Sequence, residues 1–228
     1  MKDSVKKFVK NNALSLFFLV AFLLSLVGQS FAGNAAANQE RLAEGGAPLS
    51  WMAYVTSSDF TTDVAENWQS EYLQFLLFIL ATVWLVQRGS TESKKPGEEG
   101  GESDAEQKTG RYAEPGSPAW AAAAGWRRSL YGNSLGLVMG AVFLLSWLAQ
   151  SVSGQASYNA RQLAQLEDPV GWGGYVVSAD FWNRTLQNWQ SEFLAVLSMV
   201  VLSVYLRQRG STQSKPVGAA HDATGVEG

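Results

Sequence analysis

Asn67-Trp68-Gln69-Ser70-Glu71-Tyr72-Leu73 decides the fold because it occurs twice, returning with Phe for Tyr as Asn188-Trp189-Gln190-Ser191-Glu192-Phe193-Leu194. Each copy runs straight into an apolar segment, and each segment leads into Gln-Arg-Gly-Ser-Thr-x-Ser-Lys, at Gln87 to Lys94 and at Gln208 to Lys215. Sliding the chain by 121 positions superposes Asn12 to Lys94 on Asn133 to Lys215 without a gap, and about 37 of the 83 paired positions are identical. This is a tandem duplication. Identity continues through Asn38/Asn159, Pro48/Pro169, Trp51/Trp172, Tyr54/Tyr175 and Asp59-Phe60/Asp180-Phe181. Burial in lipid cannot explain identity in these polar connections, so they are expected to share a structure.

Around the repeat, apolar windows point to a membrane. Ala13 to Val27 and Leu135 to Ala149 are almost wholly apolar, and with the residues that follow each approaches the roughly 20 needed to span a bilayer. Tyr72 to Val86 and Phe193 to Leu206 are shorter, about 14 to 15 residues, and reach that length only by drawing in the Asn-Trp-Gln-Ser-Glu motif ahead of them. The basic N-terminus followed by an apolar run resembles a secretory signal. The same pattern recurs in mid-chain at Leu135 to Gly154, so residues 13–32 are read as an uncleaved membrane helix.

Local signals set the element boundaries. Asn34 to Glu44 suits a continuation of the first helix, which Gly45-Gly46-Ala47-Pro48 stops; the second copy has Leu166-Glu167-Asp168-Pro169 there. Ser57, Ser58 and Asp59, with Ser178 and Asp180, supply N-cap oxygens, so the second helix of each repeat should start near Ser58 and Ala179. Asp59, Asp63 and Glu66 suit the positive end of its dipole. Trp51, Tyr54, Trp172 and Tyr175 are placed as interfacial anchors.

These signals predict an all-α membrane protein with four transmembrane helices, arranged as two tandem parallel-repeat hairpins. The second helix of each extends on the extracytoplasmic side. The first repeat covers residues 1–94, with spans at about 13–32 and 68–87, and the second covers 127–215, with spans at about 134–153 and 189–207. Residues 95–126 form an acidic linker and 216–228 a tail, both with the composition of disordered chain. Of the 17 basic residues only Arg41, Arg161 and Arg184 fall in the motif-bearing loops, which places both termini and the linker in the cytoplasm and the protein in the cell (inner) membrane.

On the duplicated Asn-Trp-Gln-Ser-Glu-[Tyr/Phe]-Leu motif with its Gln-Arg-Gly-Ser-Thr-x-Ser-Lys ending, the chain resembles a family of uncharacterised bacterial membrane proteins catalogued as a domain of unknown function. The resemblance covers nearly everything outside the linker and tails. It implies a membrane location and no particular activity, substrate or catalytic residue.

The candidate site is a polar intramembrane cluster: Asn67, Trp68, Gln69 and Glu71, their copies Asn188, Trp189, Gln190 and Glu192, and Gln29 with Gln150 from the first helices. Glu71 and Glu192 would lie roughly 6 Å inside the span boundary at 1.5 Å per residue, where an ionisable group is a functional candidate. The plainer alternative is a carboxylate at the interface beside a tryptophan. Ser25, Gln29 and Gly33, with Ser146, Gln150 and Gly154, form a small and polar stripe suited to helix packing. Gly136 and Gly140 form a small-residue pair that Ser15 and Leu19 replace in the first repeat. The Arg-Gly-Ser-Thr elements read as helix C-caps with a cytoplasmic anchor.

With no cysteine and a single histidine, His221, the chain has no disulfide and little of the usual metal, haem or nucleophile chemistry. No cofactor, catalytic residue or nucleic-acid partner is expected. The leading expectation is a non-enzymatic structural or interaction module whose partners are the bilayer and either another membrane protein or further copies of itself. The alternative is a small transporter or channel component using Glu71 and Glu192 for a cation or proton.

Overall fold

The duplicated sequence folds into duplicated elements. A computed structural model describes residues 2–226, which form nine α-helices, one 3₁₀ turn at Gly110–Tyr112 and no strand. After α1 (Lys2–Asn11), the first repeat contributes α2 (Ala13–Ala43), α3 (Trp51–Val55) and α4 (Ser58–Trp84). The short α5 (Ala119–Ala122) and α6 (Trp126–Gly132) precede the second repeat, α7 (Ser134–Ala164), α8 (Trp172–Val176) and α9 (Ala179–Tyr205). The long helices match in pairs, 31 residues for α2 and α7 and 27 for α4 and α9.

Cap chemistry accounts for the boundaries. The Ser57 hydroxyl accepts from the Phe60 amide and the Ser178 hydroxyl from the Phe181 amide, so α4 and α9 start where the serines satisfy free N–H groups. α2 and α7 close alike: Gly46 N–H donates to Arg41 C=O at 2.7 Å, and Glu167 N–H to Gln162 C=O at 2.8 Å. The residue before each bond is left-handed, Gly45 at φ 78° and Leu166 at φ 63°. Only glycine adopts that conformation without a Cβ penalty, so Leu166 is strained.

In each repeat the short helix folds back on the first long one through the same bonds. Trp51 Nε1 donates to Ser30 Oγ, and Trp172 Nε1 to Ser151 Oγ, both at 3.0 Å. Asn38 clamps the Leu49 backbone as Asn159 clamps that of Val170. Tyr54 and Tyr175 are buried, not interfacial, because each ring lies against its own repeat's glycine, Gly33 or Gly154. A Cβ on either glycine would collide with the tyrosine.

α2 and α7 are long and apolar enough to cross a membrane. α4 and α9 begin with several polar turns, and only their later halves are apolar. The closest packing joins the two repeats, whereas the sequence pattern suggests two self-contained hairpins: α4 lies along α7, and more lightly against α9. Small residues make this possible, since Leu76 fits over Gly140 and Leu80 over Gly136. Ser15 and Leu19 occupy the matching places on α2, whose main neighbour is α3.

Beyond Leu85 and Leu206, both extended, the Gln-Arg-Gly-Ser-Thr-x-Ser-Lys endings form serine-braced turns instead of the expected C-caps. Ser93 Oγ accepts from Gln87 N–H and Ser214 Oγ from Gln208 N–H, each at 2.8 Å. Lys94 Nζ then donates to Gly100 C=O, and the buried Lys215 Nζ to Gly89 C=O and His221 C=O, so the last turn ties the two endings together. Residues 95–126 run through turns and short helices joined by exposed ion pairs such as Lys108–Glu114.

Candidate functional site

Where α4, α7 and α9 meet, the buried surface is polar. Thr62, Gln69 and Ser70 on α4, Ser146 and Gln150 on α7, and Thr185 on α9 are all buried. Helical spacing puts Thr62, Ala65, Gln69 and Leu73 on one stripe of α4, and Phe143, Ser146, Gln150 and Ser157 on one stripe of α7. The bonds run between helices: Thr62 Oγ1 to Ser153 Oγ at 2.9 Å, Trp189 Nε1 to Gln69 Oε1 at 2.8 Å, and Gln150 Nε2 to Thr185 Oγ1 at 3.4 Å. Gln69 Nε2 and Gln150 Oε1, one donor and one acceptor, remain unpaired. Trp147 stacks on Phe143 and Phe181 and meets Trp182 and Trp189, walling the cluster on the α7–α9 side.

One or two turns before Gln69 on α4 lies an open cleft of about 380 Å³ lined by Asp63, Glu66, Asp180 and Arg184 among others. Arg184 Nη1 bonds Glu66 Oε2 at 2.9 Å and lies 3.7 Å from Asp63, while Asp180 is shared between Arg184 at 3.9 Å and Arg161 at 3.3 Å. Burial pushes the Glu66 and Asp63 carboxyls up, and Arg184 only partly counters it. For Arg184 itself burial disfavours the cation, but Glu66, Asp180 and Asp63 outweigh it and its pKa rises. Burial, reinforced by Asp180, takes the Tyr175 hydroxyl to about 12, so it stays protonated and donates to Asp180 at 3.3 Å. Three carboxylates against two guanidiniums make an ion-pair network with little charge left for a cation.

The ten residues singled out from the sequence are not gathered in one place. Gln69, Gln150 and Trp189 meet in the buried cluster. Asn67 and Asn188 turn back onto their own helices, donating to Asp63 C=O and Arg184 C=O. Trp68 and Gln190 are exposed and Gln29 is half-buried. Glu71 is exposed and Glu192 half-buried, close enough for their charges to interact. No cluster of three or more His, Cys, Asp or Glu with metal-binding geometry occurs among the described residues.

Over residues 5–226 the chain matches a family described as a domain of unknown function, DUF6766. It belongs to that family. No curated protein and no solved structure matches it. In this DUF6766 chain the duplicated motif points neither to Thr62 and Thr185 nor to the bond between Arg184 and Glu66. The signal for Arg184 lay in the departures from the repeat: Asp63 is replaced by Arg184 and Glu66 by Gln187, so at one level the two copies carry opposite charge.

Proposed function

We propose that this DUF6766 protein is a multi-pass integral membrane protein of the cell membrane in which α2, α4, α7 and α9 all cross the bilayer. In this reading both termini and residues 95–126 face the cytoplasm, and the protein acts as a non-enzymatic interaction module. The observation that carries the reading is where the polar side chains go. Gln69, Gln150, Thr185 and Trp189 are engaged in bonds between helices, and Arg184, at the edge of the open cleft, is bonded across to Glu66 of the other repeat. Such bonds suit a bundle that must satisfy its polar groups internally, as lipid requires. Large apolar side chains cover the remaining faces of α2 and α7.

Topology is tested by cysteine labelling, since the chain has none of its own. Ser103→Cys should resist an impermeant maleimide in intact cells and react after lysis; reaction in intact cells would overturn the orientation. A second reading, cation or proton transfer, draws on the proximity of Glu71 and Glu192. Proteoliposomes separate the two. Ion flux that disappears in Glu71→Gln/Glu192→Gln would favour the transporter, whereas no flux together with a stoichiometric partner on purification supports the module.

A further inference from the structure

The interface between α4 and α7 joins the second helix of one repeat to the first helix of the next. The same operation applied again carries α4 onto α9, and α9 then calls for the first helix of a third repeat. Residues 1–228 hold two repeats, and within them α2 does not lie along α9. The surfaces for that contact are nevertheless present. On α9, Gln190, Ser191, Leu194 and Leu197 repeat Gln69, Ser70, Leu73 and Leu76 of the internal seam. On α2, Phe22, Ser25 and Gln29 repeat Phe143, Ser146 and Gln150. The internal set is largely buried, with Gln69 and Gln150 fully so. In the repeated set Leu194 and Leu197 are each 58% exposed and Phe22 is 42% exposed.

We propose that α9 of one copy packs against α2 of a second copy, repeating between chains the seam that α4 and α7 make within one. This rests on the membrane reading above and names the partner of the proposed module. Lipid covers leucines well but leaves the amides of Gln29 and Gln190 without partners, and small and polar residues are what membrane helices use to pack on one another. Side-chain size fits in part: Val201 stands for Leu80 where Ser15 stands for Gly136, so a smaller residue meets a larger one. At Leu197 opposite Leu19 nothing compensates for the lost Gly140, and the helices should stand further apart there. The pattern also assigns a donor to Gln190, because Trp189 N–H bonds Gln69 within the chain and its counterpart is the exposed Trp68 of the next copy. A contact of this kind is head-to-tail, and the rotation between copies decides whether it closes into a ring.

Disulfide trapping tests it. Thr62 and Ser153, whose hydroxyls are 2.9 Å apart, give the internal control: Thr62→Cys/Ser153→Cys should close within one chain on mild oxidation of membranes. The corresponding pair between chains is Asn183 and Ala32. Two differently tagged chains, one carrying Asn183→Cys and the other Ala32→Cys, should form an adduct bearing both tags. Either variant alone should form none, because α9 meets α2 and not itself. Leu24→Cys, on the opposite face of α2, should not replace Ala32→Cys, and adding Ser25→Trp should abolish the adduct. The proposal is overturned if the control closes and no two-tag adduct appears, if each variant pairs with itself, or if Asn183→Cys/Ala32→Cys closes only within a chain. Fractionation before oxidation keeps the two readings apart: protein outside the membrane fraction overturns the membrane reading, while membrane-embedded protein without the adduct overturns the seam alone.

Discussion

α7 and α2 have the same length and the same stripe, Phe143, Ser146 and Gln150 on one, Phe22, Ser25 and Gln29 on the other, yet one stripe is buried and the other largely open. The difference lies in the neighbours. α7 has α4 along its face, with Gly136 and Gly140 admitting Leu80 and Leu76, whereas α2 offers Ser15 and Leu19 and is held mainly through α3. A stripe of this kind therefore marks a surface made for packing and does not say which helix fills it. The same contrast runs through the second helices, where the motif glutamine of α4 is fully enclosed and that of α9 faces outward.

The largest expected effect sets Gly154 against Gly33. Both lie under a tyrosine ring, and the Tyr54 hydroxyl comes the closer of the two; but Tyr175 is fully enclosed and bonded to Asp180, so it has nowhere to yield, while Tyr54 is slightly exposed and no such bond holds it in place. Gly154→Ala should cost about 2–3 kcal/mol and Gly33→Ala about 1–2, measured by thermal unfolding in detergent. Equal losses would show that the two repeats are equally tight at this contact.

Next come the motif glutamines. Gln69→Ala strands the Trp189 indole N–H in a partly buried site and should cost about 1–2 kcal/mol. Gln190→Ala should be nearly neutral in dilute detergent, where copies are apart. A smaller effect concerns the helix ends. Leu166→Gly should raise stability by about 0.5–1 kcal/mol by relieving its positive φ, and the matching change Gly45→Leu should lower it by a similar amount. If Leu166→Gly has no effect, that turn is not strained in solution.

The smallest effect is a pH slope. Burial holds the Glu66 and Asp63 carboxyls above their ordinary values in the folded protein, so folding favours their protonated forms. Their contribution is complete at pH below the ordinary carboxylate range and is lost as pH rises through the elevated folded values. Stability should therefore fall by less than about 1 kcal/mol from mildly acidic to neutral pH, and Glu66→Gln should flatten that slope. An unchanged slope would place the proton uptake elsewhere.

Much of this fold was legible in advance because its signals are local. Ser57 and Ser178 mark the starts of α4 and α9 by the chemistry of capping, and Gly45-Gly46 and Pro48 mark the end of α2 by what a helix cannot continue through. The site was legible only in part. Gln69, Gln150 and Trp189 stand out as amides and an indole beside apolar runs, whereas Arg184 reads as an ordinary loop cation until it is found bonded to Glu66 of the other repeat. A sequence 118 positions away carries no trace of that distance.

The duplication, the positions of the four long helices and the two stripes follow from residue spacing alone, because helical period and cap chemistry act within a few turns of chain. Which stripe becomes an interior, and which carboxylates share a guanidinium, depends on how the second repeat is turned relative to the first. That rotation is set by side-chain sizes at Gly136, Gly140, Leu76 and Leu80, whose fit exists only once the helices are side by side.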